Sequence, residues 1–246
     1  MKAMILAAGR GERMRPLTDT CPKPLLKVRG RPLIVWHILN LVRAGITEIV
    51  INHAHLGHML EEELGDGSKY GASISYSHEE KALETAGGIA YALHLLGDEP
   101  FLVLSGDIYC PYFDFSQVID VLPDLDAIGA PIPLDKRDAC WLYLTPNPWH
   151  NPKGDFGLSM FSISNDGEPK WNFSNIGVYR PEMFNAITPG DSAKLGLLIR
   201  EYANKGVVGG EIYEGPWVNV GTVQQLEELN APPVGRTSIS APKAAP

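Results

Sequence analysis

Four cations stand close together near the start of the chain: Arg10, Arg13, Arg15 and Lys23. They are interleaved with residues of little side chain, Ala7, Ala8, Gly9 and Gly11, which follow the apolar run Met4-Ile5-Leu6. Small residues let backbone N–H groups approach an anion closely, and the cations supply countercharge. Pro22 and Pro24 restrict the backbone on either side of Lys23, so its ammonium is aimed and does not trail in solvent. The chemistry this permits is the holding of a phosphate-like polyanion. The loop is not a Walker A motif, because no Gly-Lys-Ser/Thr follows. It is not a dinucleotide fingerprint either, because Met14 stands where a third glycine belongs. A second reactive group is Asp107, at the end of the apolar run Phe101-Leu102-Val103-Leu104. A carboxylate there can hold a hard cation such as Mg²⁺ together with phosphate oxygens and water.

The charge distribution narrows the partners. The 246 residues carry a net charge of −8, yet residues 1–31 hold eight Lys/Arg against only Glu12 and Asp19. That segment is +6 and the remainder −14. A basic patch confined to one loop suits a small polyphosphate better than nucleic acid, which would need a wider basic face. No apolar run reaches membrane-spanning length and the start lacks a signal-peptide layout, so no membrane partner is expected. Cys21, Cys110 and Cys140 are too few and too scattered for a disulfide framework or a zinc site, which fits a reduced, cytoplasmic setting.

The elements that must position these groups read as alternating strands and helices. Met4–Leu6 is a short buried strand. A helix is expected over Leu33–Ala44, with Pro32 before it and Gly45 after it, then a strand over Glu48–Asn52. A second helix over His55–Leu64 and a strand over Ala72–Ser77 follow. His53, His55 and His58 lack a fourth ligand at metal spacing and read as surface histidines. A helix starts at Glu84 or Thr85 and runs to Leu96, and the strand Phe101–Leu104 leads to Asp107. Such βαβ units imply a mostly parallel sheet with the ligand beyond the carboxyl ends of its strands. The first loop, Asn52-His53, His78-Glu79-Glu80 and Ser105-Gly106-Asp107 would then gather at one edge. Further on, a helix is expected over Asp114–Leu122 and a strand over Asp126–Ile132. A proline-dense excursion from Pro131 to Pro152 leaves the sheet. Strands Phe156–Ile163 and Lys170–Tyr179 would be joined by the turn Ser164-Asn165-Asp166-Gly167. A helix over Ala193–Asn204 precedes a closing hairpin of Gly210–Tyr213 and Pro216–Val220. Thr222 and Gln225 have capping-box spacing for a final helix. Residues 1–230 would form one domain, and the Pro/Ser-rich 231–246 a tail without a core.

With these residues in view, the run Gly9-x-Gly11-x-Arg13-Met14-x-Pro16-Leu17-Thr18, followed by Pro22-Lys23-Pro24-Leu25, resembles the signature of the sugar-1-phosphate nucleotidyltransferases. Ala82-Leu83-Glu84-Thr85-Ala86-Gly87 is similar to that family's base-binding segment, with Glu84 where a glycine is usual. Leu104-Ser105-Gly106-Asp107 matches its metal aspartate. Gly154-Asp155-Phe156-Gly157 and Asn175-Ile176-Gly177-Val178-Tyr179 look like its sugar-contacting strands. Trp217-Val218-Asn219-Val220-Gly221-Thr222 looks like its second metal segment, with Asn219 in place of an aspartate.

The resemblance implies a Rossmann-like α/β fold, a three-layer αβα sandwich with a mixed, mostly parallel sheet and a small sugar-binding excursion. It implies condensation of a nucleoside triphosphate with a sugar 1-phosphate, releasing pyrophosphate, by a monomer or weak dimer. Arg13 and Lys23 would be catalytic, on the departing β/γ-phosphates and on the α-phosphate respectively. Ala7, Ala8, Gly9, Gly11, Glu80, Leu83, Thr85 and Gly88 would bind nucleotide. Asp155, Gly157 and Asn175 would bind sugar, and Asp107 and Asn219 would hold Mg²⁺. The compact length and the Glu-Thr-Ala-Gly-Gly loop look most like the branch that takes UTP and N-acetylmuramate 1-phosphate in bacterial cell-wall recycling. For such an acceptor, Lys153, Lys136 or Arg137 is a candidate partner of the lactyl carboxylate. Guanylyl transfer to mannose 1-phosphate, uridylyl or thymidylyl transfer to glucose 1-phosphate, and a non-catalytic nucleotide sensor stay open.

Overall fold

A computed structural model describes residues 1–119 and 139–232. At its centre lies β1 (Ala3–Leu6). The small strands β2 (Lys27–Val28) and β3 (Arg31–Pro32) follow, then α1 (Leu33–Arg43), β4 (Glu48–His53), α2 (Gly57–Leu64), β5 (Ser73–His78), α3 (Glu84–Leu96) and β6 (Phe101–Ser105). Next come β7 (Ile108–Tyr109), β8 (Cys140–Thr145), β9 (Phe156–Ser159), β10 (Ser162–Ser164) and β11 (Lys170–Tyr179). The described chain closes with α4 (Leu195–Asn204), β12 (Val208–Ile212), β13 (Val218–Asn219) and α5 (Val223–Asn230).

Among the described residues, nine strands form one mixed sheet in the order β5-β4-β1-β6-β11-β8-β12-β10-β9. The first four are parallel, with Ile5 opposite Ile51 on one side and Leu104 on the other. β1, β4 and β6 carry successive apolar residues because both their faces are covered, while the edge strand β5 alternates such residues with serines. Ile5, Ile51 and Leu104 pack with Ile34 and Ile38 of α1 and Leu60 of α2. Met4, Val50 and Val103 point the other way, onto Ile89 of α3 and Ile199 of α4. The result is the three-layer αβα arrangement expected from the sequence. The long β11 runs antiparallel to both β6 and β8 and so joins the parallel half to the rest.

Four local readings need correction. Residues 156–163 are not one strand: β9 and β10 are a hairpin turning at Met160-Phe161, where Met160 takes a left-handed φ of 54°. No closing hairpin forms. β12 enters the main sheet parallel to β8, while β13 pairs antiparallel with β7. The chain between them is steered by Trp217, whose Nε1 donates to the Ser174 carbonyl at 2.9 Å. The second helix begins at Gly57, after Leu56 has taken a left-handed φ of 54°. His53 is not a surface histidine. It is 2% exposed, its Nε2 lies 2.8 Å from Glu61 Oε1, and its ring fills the space above Gly57. The expected strand Asp126–Ile132, Lys136 and Arg137 lie outside the described residues, as do the end of the Asp114–Leu122 helix and most of the tail.

Candidate active site

The carboxyl ends of β1, β4, β5 and β6 open into a cavity of about 340 Å³. Its floor is the first loop. Gly11 turns that loop with a φ of +70°, and the buried Met14 anchors the short helical turn Glu12–Met14. The fully buried Thr18 then clips it, its hydroxyl donating to the Gly11 carbonyl at 2.9 Å. Ala7, Ala8 and Gly9 line the cavity. The Ala7 N–H is taken by Asn52 Oδ1 at 2.9 Å, which leaves the next two amides of the loop for a ligand.

The loop arginines divide. Arg10 donates to the Thr18 carbonyl and pairs with Asp19 at 2.6 Å, and Arg15 pairs with the same carboxylate at 2.9 Å. Their hydrogen bonds and charges hold the Asp19 carboxyl below its usual range. Both therefore brace the loop. Arg13 has no ion pair among the described residues. It is exposed, and its guanidinium lies beside Gly221, outside the cavity lining. Lys23 begins a single helical turn, Lys23–Leu25, between its two prolines. Its side chain is 9% exposed and its Nζ contacts Asp107 Oδ2 at 2.5 Å.

Opposite the loop, the start of α3 supplies Thr85 and Glu84 to the cavity wall. Glu84 holds a φ of +60°, a conformation that costs a non-glycine residue about 1 kcal/mol or more. The sequence reading placed Glu80 here, but Glu80 is exposed and Glu79 lines the cavity. Glu79 Oε1 accepts from Asn52 Nδ2 at 2.6 Å, and its Oε2 accepts from the Leu83 N–H at 2.9 Å. One buried chain of hydrogen bonds thus runs from Ala7 through Asn52 and Glu79 to Leu83. Burial pushes the Glu79 carboxyl above its usual range, and the two donors pull it back. Leu83 and Gly88 serve this chain from behind the wall. The Leu83 side chain is buried, and a Cβ at Gly88 would lie 2.6 Å from Glu79 Oε1.

A second cavity, of about 300 Å³, is lined by Asp155, Asn175, Arg200 and Asn219. Asn175 sits in a bulge of β11 with a φ of 61°, which asparagine tolerates better than most residues. Asp155 is fixed by the Phe173 N–H, which donates to its Oδ2 at 2.8 Å. Gly157 is not in the lining. It allows the backbone of Gly167 to pass where a Cβ would come within 2.4 Å. Arg200 gave no local signal in the sequence, being one cation on an amphipathic helix. Its guanidinium lies 4.7 Å from the Phe156 ring centre and donates to the Asp155 carbonyl and Asn165 Oδ1, each at 3.2 Å. It has no ion pair among the described residues. Lys153 instead lines an open groove on the far side of Asp155 and Arg200.

Asp107 borders the first cavity and Asn219 the second. The β7–β13 ladder brings them together: Asn219 lies opposite Ile108, and the Val220 N–H donates to the Asp107 carbonyl at 3.0 Å. Asn219 Oδ1 is buried without a hydrogen-bond partner among the described residues. Among the described residues no group of three or more His, Cys, Asp or Glu could hold a metal. A cation held by this pair would have one carboxylate and one amide oxygen, and would need further oxygens from a ligand and water. That donor set fits Mg²⁺, which is usually held this way alongside phosphates.

Comparison with known proteins gives a consistent picture. A family model described as nucleotidyl transferase matches residues 2–138. The chain is 51% identical over 238 residues to an N-acetylmuramate alpha-1-phosphate uridylyltransferase of Neisseria meningitidis serogroup B, covering 94% of this chain and 97% of that protein. It is 42% identical over 122 residues to mannose-1-phosphate guanyltransferase beta-B of Xenopus laevis, covering 48% of this chain and 34% of that one. Among solved structures, a UDP-glucose pyrophosphorylase complexed with UDP-glucose superposes with a TM-score of 0.73 at 18% identity, covering 93% and 96% of the two chains. That likeness speaks for the fold.

Proposed function

The chain belongs to the nucleotidyl transferase family, as a sugar-1-phosphate nucleotidyltransferase, and from that premise we propose that it joins UTP to N-acetylmuramate α-1-phosphate, giving UDP-N-acetylmuramate and pyrophosphate. Such an activity belongs to the cytoplasmic recycling of cell-wall sugar. The observation that carries the reading is that Asp107, in a cavity floored by an anion loop, and Asn219, in a polar one, are brought side by side by the backbone pairing of β7 with β13.

Little covalent chemistry falls to the protein. The sugar phosphate is already an anion near neutral pH, so no general base has to create the nucleophile. The barrier comes from one anion attacking another, and it falls when the charge is neutralised and the line of attack is fixed. The Ala8 and Gly9 amides and Lys23 face the triphosphate from the loop side. Arg13, the loop arginine without a carboxylate partner, lies beside the Asn219-Val220-Gly221 turn and is suited to the departing pyrophosphate. Asp107 and Asn219 would hold Mg²⁺, which would supply further positive charge to the phosphates. On the acceptor side, Asn175 and Asp155 suit sugar hydroxyls. A buried lactyl carboxylate needs a cation, since leaving it unpaired is costly, and Arg200 meets that need in place of Lys153.

The test is pyrophosphate release across a panel of UTP, GTP and dTTP with N-acetylmuramate, N-acetylglucosamine, mannose and glucose 1-phosphates. UTP with the muramyl acceptor should give the highest kcat/KM. Preference for GTP with mannose 1-phosphate would move the chain to the reaction named for the Xenopus relative. Release with no pair would leave a nucleotide-binding protein without turnover.

A further inference from the structure

We propose that Lys23 and the divalent cation compete for Asp107, so that the empty site holds the cation weakly until a triphosphate draws Lys23 away. This rests on the reading of Asp107 and Asn219 as the metal residues. The Lys23 ammonium sits 2.5 Å from Asp107 Oδ2, and the lysine side chain is only 9% exposed while that of Asp107 is 31% exposed. The pair is therefore partly shielded from water, where an ion pair is stronger than on the surface. The second donor, Asn219, is neutral. The two donors together with Lys23 carry no net charge, so the donor pair itself offers an approaching cation no excess of negative charge. Glu79 lines the same cavity but is held as an acceptor by Asn52 and Leu83, one donor on each oxygen, and is not presented as a third donor.

A triphosphate changes the balance. Lys23 lines the same cavity as Ala8 and Gly9, so phosphates entering there offer its ammonium a more highly charged partner than one carboxylate. Once Lys23 turns to the phosphates, Asp107 is free for the cation, and the phosphates supply the oxygens that the donor set lacks. Nucleotide and cation then raise one another's affinity, as linkage requires. One residue would serve twice: it suppresses metal binding at the empty site and is delivered to the α-phosphate by the same event.

The experiment measures Mn²⁺ binding to the full chain by electron paramagnetic resonance of the free ion, without nucleotide and with a non-hydrolysable α,β-methylene analogue of UTP. Lys23→Met should bind Mn²⁺ roughly tenfold more tightly than wild type without nucleotide, the size of one partly screened charge interaction. Lys23→Arg, which keeps the charge, should stay close to wild type. With the analogue, wild-type affinity should rise by more than that of Lys23→Met. Equal nucleotide-free affinity in wild type and Lys23→Met would overturn the proposal, as would an Arg variant that binds as tightly as Met. Should Lys23→Met fail to fold, an absence of mutual enhancement in wild type would overturn it equally. Asp107→Asn separates the premise: Mn²⁺ binding that survives this change in every background means the metal residues are misassigned, whatever Lys23 does.

Discussion

Asn219 presents a buried amide oxygen, unpartnered among the described residues, in the lining of the second cavity, where a carboxylate would have brought a charge. If it faces the cation, Asn219→Asp should lower the Mg²⁺ concentration for half-maximal activity by several-fold, since one negative charge is added to the donor set. An unchanged midpoint would remove Asn219 from the metal shell. Arg200 tests the acceptor side. Arg200→Met should reduce the preference for muramyl over glucosaminyl 1-phosphate by about tenfold in kcat/KM, the scale of one charge-assisted hydrogen bond. A preference that survives would return the lactyl group to another cation. The sequence names Glu80 for the cavity, whereas Glu79 is the carboxylate that lines it. Where the chain leaves β5, burial changes with each residue, Ser77 being buried, His78 exposed, Glu79 buried and Glu80 exposed, so a shift of one residue exchanges a cavity-facing side chain for a solvent-facing one. Arg200 was beyond reach for a different reason. Nothing in a helix pattern tells which exposed-face cation overlooks a cavity built by strands far away in sequence.

Among the elements, α1 carries a less obvious support of the site. His37, buried on α1, donates its Nε2–H to the Ile108 carbonyl at 2.9 Å, directly beneath the strand that follows Asp107. Burial disfavours the charged ring and lowers its pKa from 6.5 to about 4, against the opposing pull of Ile108 and Asp107. Between those two values the unfolded chain binds a proton that the folded chain refuses. Stability must fall as pH drops through that window, by about 3 kcal/mol at its lower end. His37→Gln can still donate to Ile108 but does not titrate, so urea melts at pH 7 and pH 4.5 should differ less for the variant than for wild type. The inner strands of the parallel half, β1, β4 and β6, were legible because covering both faces demands apolar runs, whereas β5 at the sheet edge shows only a weak alternation. The β7–β13 ladder was not legible. A two-residue strand has no pattern of its own, and its partner lies about 110 positions away in the sequence. The β9–β10 turn was hidden too, since Met160 adopts the left-handed conformation without a glycine to advertise it.

At the scale of the whole molecule, a third small core joins the two ends of the described chain. Met14 beneath the first loop packs in one cluster with Leu33, Val220 and Leu226. Asn230 completes the closure, its Oδ1 accepting from the Arg29 N–H at 2.8 Å and its Nδ2 donating to the Lys27 carbonyl at 2.9 Å. The first loop is thus held up by α5, whose start is fixed by the Thr222–Gln225 capping box expected from the sequence. Leu226→Ala should cost about 2–3 kcal/mol of stability. It should also raise the KM for the triphosphate while leaving the acceptor preference intact. A variant that lost stability alone would show that the loop keeps its shape without this prop. The same closure bears on the order in which a ribosome releases the chain. Residues 1–105 can assemble the four parallel strands early, since their partners are all within reach. Asn219 and the prop beneath Met14 follow only after β8, β11 and β12 have been made. A chain truncated before Asn219 would keep the loop that cradles a triphosphate and lose both the second donor and the support beneath that loop.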